Sequence, residues 1–199
     1  TFRNRLHPAV DIFLSLKANN NVSIAKHMRE WGCCAEVASA GELHLALLAG
    51  FAPDNIIFSG PGKREHELKM AMDAGIYCII VETVDEMLLL AELAERAGTT
   101  ANIGIRVNPD RDLTATAMKM GGAPRQFGVD ESLLDDLLRE LKSRERLKYK
   151  GIHIYTGTQL LDPAAIIRSF QYTIQLAVRI RQEYGLQPEM VDLCGGFGV

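Results

Sequence analysis

Short apolar runs of strand length alternate with amphipathic segments of helical period along the whole chain, and no other feature restricts the fold as tightly. The runs are Ile12 to Leu16, Cys34 to Ala38, Asn55 to Ser59, Tyr77 to Val81, Asn102 to Val107, Tyr149 to Tyr155 and Met190 to Cys194. Helical segments follow them. Val22 to Trp31 stops at Gly32, and Ser39 and Glu42 form a capping box that opens a helix ending at Gly50. Arg64 to Ala74 stops at Gly75, and Thr83 and Glu86 form a second box ahead of a helix closed by Gly98. A polar loop from Asp110 to Gly128 interrupts the rhythm, and a helix over Glu131 to Leu141 restores it. Asp162-Pro163 is an N-cap and first-turn proline, and the helix behind it is expected to bury Ile167, Phe170, Ile174 and Val178.

Strict alternation of this kind implies parallel strands joined by right-handed crossovers. Seven strands suit either a doubly wound sheet or most of a (β/α)8 barrel. The chemistry-bearing residues fall at the carboxyl ends of many strands rather than at one switch point, which favours the barrel. The first strand also lacks a Gly-x-Gly-x-x-Gly turn, whereas glycines follow the last strand at Gly195-Gly196, where barrels commonly hold phosphate. The expected class is therefore α/β: a TIM-type barrel over 1–199, incomplete by its last strand. An open barrel edge points to a longer polypeptide.

With 47% hydrophobic and 24% charged residues the chain can bury a core. A net charge of −3 without a basic run excludes a nucleic-acid partner. No apolar stretch reaches membrane-spanning length and the start is not a signal peptide, so a cytoplasmic protein without a membrane partner is expected. The four cysteines, Cys33, Cys34, Cys78 and Cys194, have no zinc-ligand spacing, so no metal is expected and reduced thiols are.

Lys17 closes the first run. An ammonium at the end of a buried strand is either paired or chemically employed, because desolvation lowers its pKa, and a lowered pKa is what a Schiff-base lysine requires. The plain alternative is a lysine that reaches solvent at the strand edge. Glu36, Arg106, His153, Tyr155, Thr158, Gly195 and Gly196 stand at the other strand ends. His153 and Tyr155 alternate with Ile152 and Ile154 and so are expected on one face. In a barrel these residues converge on one mouth. A lysine, an acid, an arginine, a stacking ring and a glycine turn with free N–H groups together suit pyridoxal 5′-phosphate.

The order Ser15-Leu16-Lys17-Ala18-Asn19, Glu36-Val37-Ala38-Ser39-Ala40-Gly41-Glu42-Leu43, Arg106-Val107-Asn108-Pro109, Gln126-Phe127-Gly128, Gly151-Ile152-His153-Ile154-Tyr155-Thr156-Gly157-Thr158-Gln159 and Asp192-Leu193-Cys194-Gly195-Gly196-Phe197-Gly198 resembles the fold-type III pyridoxal-phosphate decarboxylases, among them the ornithine and diaminopimelate decarboxylases. The resemblance implies that Lys17 is the Schiff-base lysine and that Glu36 is the acid beside it. It places Arg106 near the cofactor, Thr158 at the phosphate-binding serine, and Cys194, Gly195 and Gly196 at the Gly-Gly-Gly phosphate turn. It implies decarboxylation of a small amino acid, free or tethered to an acyl-carrier protein. It also implies a homodimer with active sites at the interface, and a C-terminal β-domain absent from this chain.

Three positions depart from the family pattern. Tyr155 stands where the cofactor-stacking histidine usually is, with His153 two residues earlier. Cys194 replaces the first glycine of the turn, which is acceptable only if its φ stays negative. Gln126 replaces the usual lysine. Two rival readings are an amino-acid racemase on the same barrel and a non-catalytic carrier of pyridoxal phosphate.

Overall fold

The computed structural model describes residues 3–110 and 127–198. The polar-loop expectation, apart from its ends, and Gln126 with it lie outside the described residues. The chain divides into two compact units, Thr1–Ile79 and Ile80–Val199.

The first unit contains β1 (Phe13–Ser15), α1 (Val22–Glu30), β2 (Cys34–Val37), α2 (Ala40–Leu48), β3 (Ile56–Phe58), α3 (Glu65–Ala74) and the start of β4 (Cys78–Val81). These strands pair in parallel in chain order, with Ser15 opposite Glu36, Glu36 opposite Ile57 and Ile57 opposite Cys78. β3 is buried at every position, as expected of a parallel strand covered on both faces. Each such apolar side chain contributes about 1.5–3 kcal/mol when fully withdrawn from water. Ser39 caps α2, accepting from the Glu42 N–H, but the Glu42 carboxylate reaches back to the Ala38 N–H rather than to Ser39. Glu67 in the first turn of α3 accepts from the N–H of Arg64 and from that of Ala40, so one carboxylate joins the starts of two helices.

The second unit contains the end of β4, α4 (Val84–Ala97), β5 (Ala101–Asn108), β6 (Val129–Asp130), α5 (Glu131–Lys142), β7 (Leu147–His153), α6 (Pro163–Tyr184) and β8 (Met190–Asp192). β5 pairs in parallel with both β6 and β7, and β7 with β8. The two-residue β6 is an eighth strand beyond the seven read from the sequence; two residues are too few to leave a periodic signal. Thr83 and Glu86 repeat the capping pattern of α2, with the Glu86 carboxylate accepting from the N–H of Glu82.

β7 carries a bulge. Tyr149 pairs with Ile103 and Gly151 with Gly104, so Lys150 is an extra residue in the ladder. Its ammonium is buried and donates to Glu189 at 2.6 Å. Gly151 has φ +155, and a Cβ there would lie 1.7 Å from the Met190 carbonyl oxygen, so only glycine lets β7 and β8 approach this closely.

α6 lies differently from the expectation. Ala165, Ser169, Thr173, Leu176, Ala177 and Ile180 face inward, whereas Ile167, Ile174 and Val178 are exposed. Small residues on the inner stripe let the helix backbone approach the sheet, and this close approach selects the face over side-chain hydrophobicity.

Candidate active site

In the first unit the chain leaves β1 through the fully buried Leu16, whose N–H donates to the Glu36 carbonyl. Lys17 follows at once and is exposed, in a turn closed by the Ala18 N–H on the Ser15 carbonyl. The desolvation expected of Lys17 is therefore not present in the described chain: β1 is half-buried and ends two residues before the lysine. Glu36 on β2 accepts from the Ser59 hydroxyl at 2.5 Å. The turn after β3 holds a lysine the sequence reading left out of the site. Lys63 is buried, donates to the Gly60 carbonyl at 2.8 Å and stands 5.7 Å from the centre of the Phe58 ring. Its signal was the placement of a lysine directly behind Gly60-Pro61-Gly62, where the chain must turn back over the strand end.

In the second unit Arg106 projects from β5 with its side chain 14% exposed and ion-pairs with Glu82, which is 1% exposed. Arg106 Nη1 lies 3.1 Å from each carboxylate oxygen, and the Gly128 N–H donates to the same carboxylate at 3.1 Å. The guanidinium is also 4.9 Å from the Phe127 ring centre and 5.9 Å from that of Tyr155, within cation–π range. Arg106 is thus committed to a protein carboxylate that was not among the expected site residues. Glu82 was findable: it directly follows a fully buried strand and precedes the Thr83 helix cap.

β7 ends at His153, two residues before the predicted end, so Tyr155 stands in the following loop. The expected shared face of His153 and Tyr155 is not found. His153 is buried and Tyr155 is 38% exposed, because the strand alternation stops between them. His153 lies opposite Asp192 in the β7–β8 ladder, and its Nδ1 is 2.8 Å from the Asp192 carboxylate. The Cys194 sulfur lies 3.3 Å from His153 Nε2 and 3.8 Å from Nδ1, beside the ring. Asp192 also accepts from the Cys194 N–H at 2.8 Å. Burial pushes the Asp192 carboxyl up, but the charge and hydrogen bond of His153, with the N–H and thiol of Cys194, outweigh it and hold the group below its ordinary range. No spacing in the sequence announces this cluster, since His153 comes from β7 and Asp192 and Cys194 from the end of β8 and just beyond it.

Cys194 has φ +57, against the expected negative value. The left-handed region costs a residue with a Cβ about 1–2 kcal/mol. The Asp192 carboxylate bonded to the Cys194 N–H fixes the turn there. Gly196 follows at φ +80, where a Cβ would meet the Gly157 carbonyl oxygen at 2.0 Å. The Leu160 N–H donates to the Gly196 carbonyl and the Gly198 N–H to the Leu160 carbonyl, so the loop carrying Thr158 is laced to the glycine turn. A Cβ at Gly195 would meet nothing within 4 Å. Among the described residues none accepts from the N–H groups of Gly195 and Gly196. Within this unit the fold brings Arg106 to Tyr155 and Thr158 to Gly196.

The family model for the pyridoxal-binding domain of pyridoxal-dependent decarboxylases matches residues 1–199. The chain is 53% identical over 197 residues, 99% of its length, to the L-glutamyl-[BtrI acyl-carrier protein] decarboxylase of Niallia circulans, and covers 46% of that protein. It is 35% identical over 193 residues to a diaminopimelate decarboxylase of Aquifex aeolicus, covering 96% of this chain and 46% of that one. A crystal structure of diaminopimelate decarboxylase from Helicobacter pylori complexed with L-lysine superposes with a TM-score of 0.86 at 29% identity, over 100% of this chain and 50% of that one. The chain spans about half the length of the curated relatives it matches. Its parallel strand–helix alternation is the incomplete (β/α)8 barrel expected from the sequence. The chain belongs to the pyridoxal-binding domain family of the pyridoxal-dependent decarboxylases, and its cofactor is pyridoxal phosphate.

Proposed function

We propose that this chain is the cofactor-holding part of a lyase that decarboxylates an amino acid, its substrate being an L-glutamyl group carried on an acyl-carrier protein. One observation supports the site most directly. The Gly195-Gly196 turn leaves its N–H groups without an acceptor among the described residues, and the Thr158 loop is laced against it. N–H groups so disposed, with a neighbouring hydroxyl, fit a phosphate dianion. The substrate assignment is carried over from the 53% identical relative.

Pyridoxal phosphate, when bound, supplies an electron sink for the pair left behind by the departing carboxylate. The chain's own residues then divide the work. Lys17 would hold the cofactor through its amine, which its exposed position after β1 leaves accessible. Gly195, Gly196 and Thr158 bind the phosphate. Glu36, polarised by the Ser59 hydroxyl, accepts hydrogen bonds from the cofactor's polar edge. Tyr155 packs on the ring. Arg106, neutralised by Glu82, sets the position of Tyr155. His153 acts through the glycine turn, because its ring is turned onto Asp192 and Cys194.

Among the described residues no helix is long and apolar enough to cross a membrane. The reading places the enzyme in the cytoplasm as a homodimer. Borohydride treatment of the full-length protein with pyridoxal phosphate, followed by peptide mapping, is expected to leave a pyridoxyl group on Lys17. A label on the buried Lys63 instead would overturn the assignment. Release of CO2 from a glutamyl thioester of a carrier protein is expected. Racemisation without CO2, or cofactor binding without turnover, would favour a racemase or a carrier.

A further inference from the structure

The cluster His153–Asp192–Cys194 has no part in the reaction described above beyond shaping the turn. Three observations on it converge. The Cys194 sulfur is within 3.8 Å of both imidazole nitrogens, so a thiolate there would lie directly against the ring. The Asp192 carboxylate holds Nδ1 at 2.8 Å and so fixes the ring against the sulfur, which lies 3.3 Å from Nε2 and 3.8 Å from Nδ1. Cys194 is half-buried rather than sealed, and its φ of +57 points to a position where glycine would sit without strain. A structural cysteine is ordinarily buried and inert, whereas a thiol beside an imidazole is a nucleophile.

We propose that Cys194 is a reactive thiol, activated by His153 with Asp192 as the positioning residue, and that its modification by small electrophiles or hydroperoxides blocks the glycine turn. With an alkylating agent such as iodoacetamide, the sulfur attacks the methylene carbon. The carbon–sulfur bond forms, iodide leaves with the bonding pair, and the thiol proton passes to solvent. With a hydroperoxide, sulfur attacks the terminal oxygen and the O–O bond breaks, giving sulfenic acid and an alcohol; sulfur is oxidised by the two electrons that the peroxide gains. Either product adds bulk directly beside Gly195, whose surroundings are otherwise open. The reactivity stands on the cluster alone; the blocking of the turn rests on the phosphate reading given above.

Cys34 supplies an internal standard, since it too is half-buried, while Cys33 and Cys78 are buried. The test is timed labelling of the cofactor-free full-length protein with iodoacetamide, each cysteine peptide being quantified by mass spectrometry. Cys194 is expected to label about tenfold or more faster than Cys34. One equivalent of hydroperoxide followed by dimedone is expected to tag Cys194 first. His153→Gln and Asp192→Asn should each bring the Cys194 rate down toward that of Cys34. A purely structural role would loosen the turn and raise the rate, so a fall is specific to activation. Cys194 labelling no faster than Cys34 in the wild-type protein would overturn the proposal. Added pyridoxal phosphate should slow Cys194 and leave Cys34 unchanged. Fast labelling without this protection would leave the reactive thiol standing and remove the phosphate reading, and protection of a slow thiol would do the reverse.

Discussion

The two units handle charge at their strand ends in different ways. In Thr1–Ile79, Lys17 is exposed behind β1, and Glu36 takes a neutral donor, the Ser59 hydroxyl. In Ile80–Val199, Arg106 and Glu82 neutralise each other in a buried position, and Asp192 is shared between His153 and Cys194. An ion already paired inside the protein has little field left to offer a ligand, whereas an ammonium in water can be drawn onto one. The first unit therefore leaves its lysine open to solvent, and the second uses its charges to fix its own loops and rings.

The largest effect should come from breaking a pair in the second unit. Glu82→Ala strands the Arg106 guanidinium, 14% exposed, and should cost about 3–5 kcal/mol in urea unfolding. A cost near zero would mean that the guanidinium finds water as easily as Lys17 does, and the contrast between the units would vanish.

Acid should weaken both units through named carboxylates. Asp192 is held below its ordinary range as described. Glu67 is lowered too: burial opposes its charge, but hydrogen bonds from the N–H groups of Ala40 and Arg64 prevail. A carboxyl lower in the folded than in the unfolded chain stabilises fully above the unfolded value, and the stabilisation is lost as pH falls through the folded one. Melting temperature is expected to drop below the ordinary carboxylate range, with the loss reduced in Glu67→Gln. An unchanged acid limb in that variant would remove Glu67 from the account.

Tyr155 sharpens the picture on a smaller scale. Tyr155→Phe should keep cofactor and most turnover, since the stacking contact is made by the ring and not by the hydroxyl. Tyr155→Ala should weaken cofactor retention by about 0.5–1.5 kcal/mol beyond area burial. Abolished turnover in Tyr155→Phe with cofactor absorbance intact would identify the hydroxyl as an acid. Smallest of all, Lys17→Ala should move folding stability by no more than about 0.5 kcal/mol while removing the borohydride-fixed label. A large loss of stability would show Lys17 to be structural.

Elements whose side chains repeat regularly could be read directly. β3, the capping serine and threonine of α2 and α4, and the aspartate cap of α6 all lie where period and cap chemistry put them. Legibility failed where backbone approach overrode side-chain character. α6 turns Ala165, Ser169 and Thr173 inward and leaves Ile167 exposed, because small residues permit close contact. It failed again where a partner lies far along the chain. Lys17, Arg106, Thr158 and the glycine turn could be singled out from their strand-end positions. Glu82 beneath Arg106 and the Asp192–His153–Cys194 contacts arise only when separate strands are laid side by side.

The extra residue in β7 bears on where this strand can tolerate a change of length. Tyr149 and Gly151 face consecutive residues of β5, so Lys150 can be gained or lost without displacing Ile152 or His153 from their partners. Its buried tie to Glu189 is what such a deletion forfeits. One residue later that freedom ends: at Gly151 the Met190 carbonyl oxygen bars any side chain, so a change of residue there is excluded where a change of length at 150 is not.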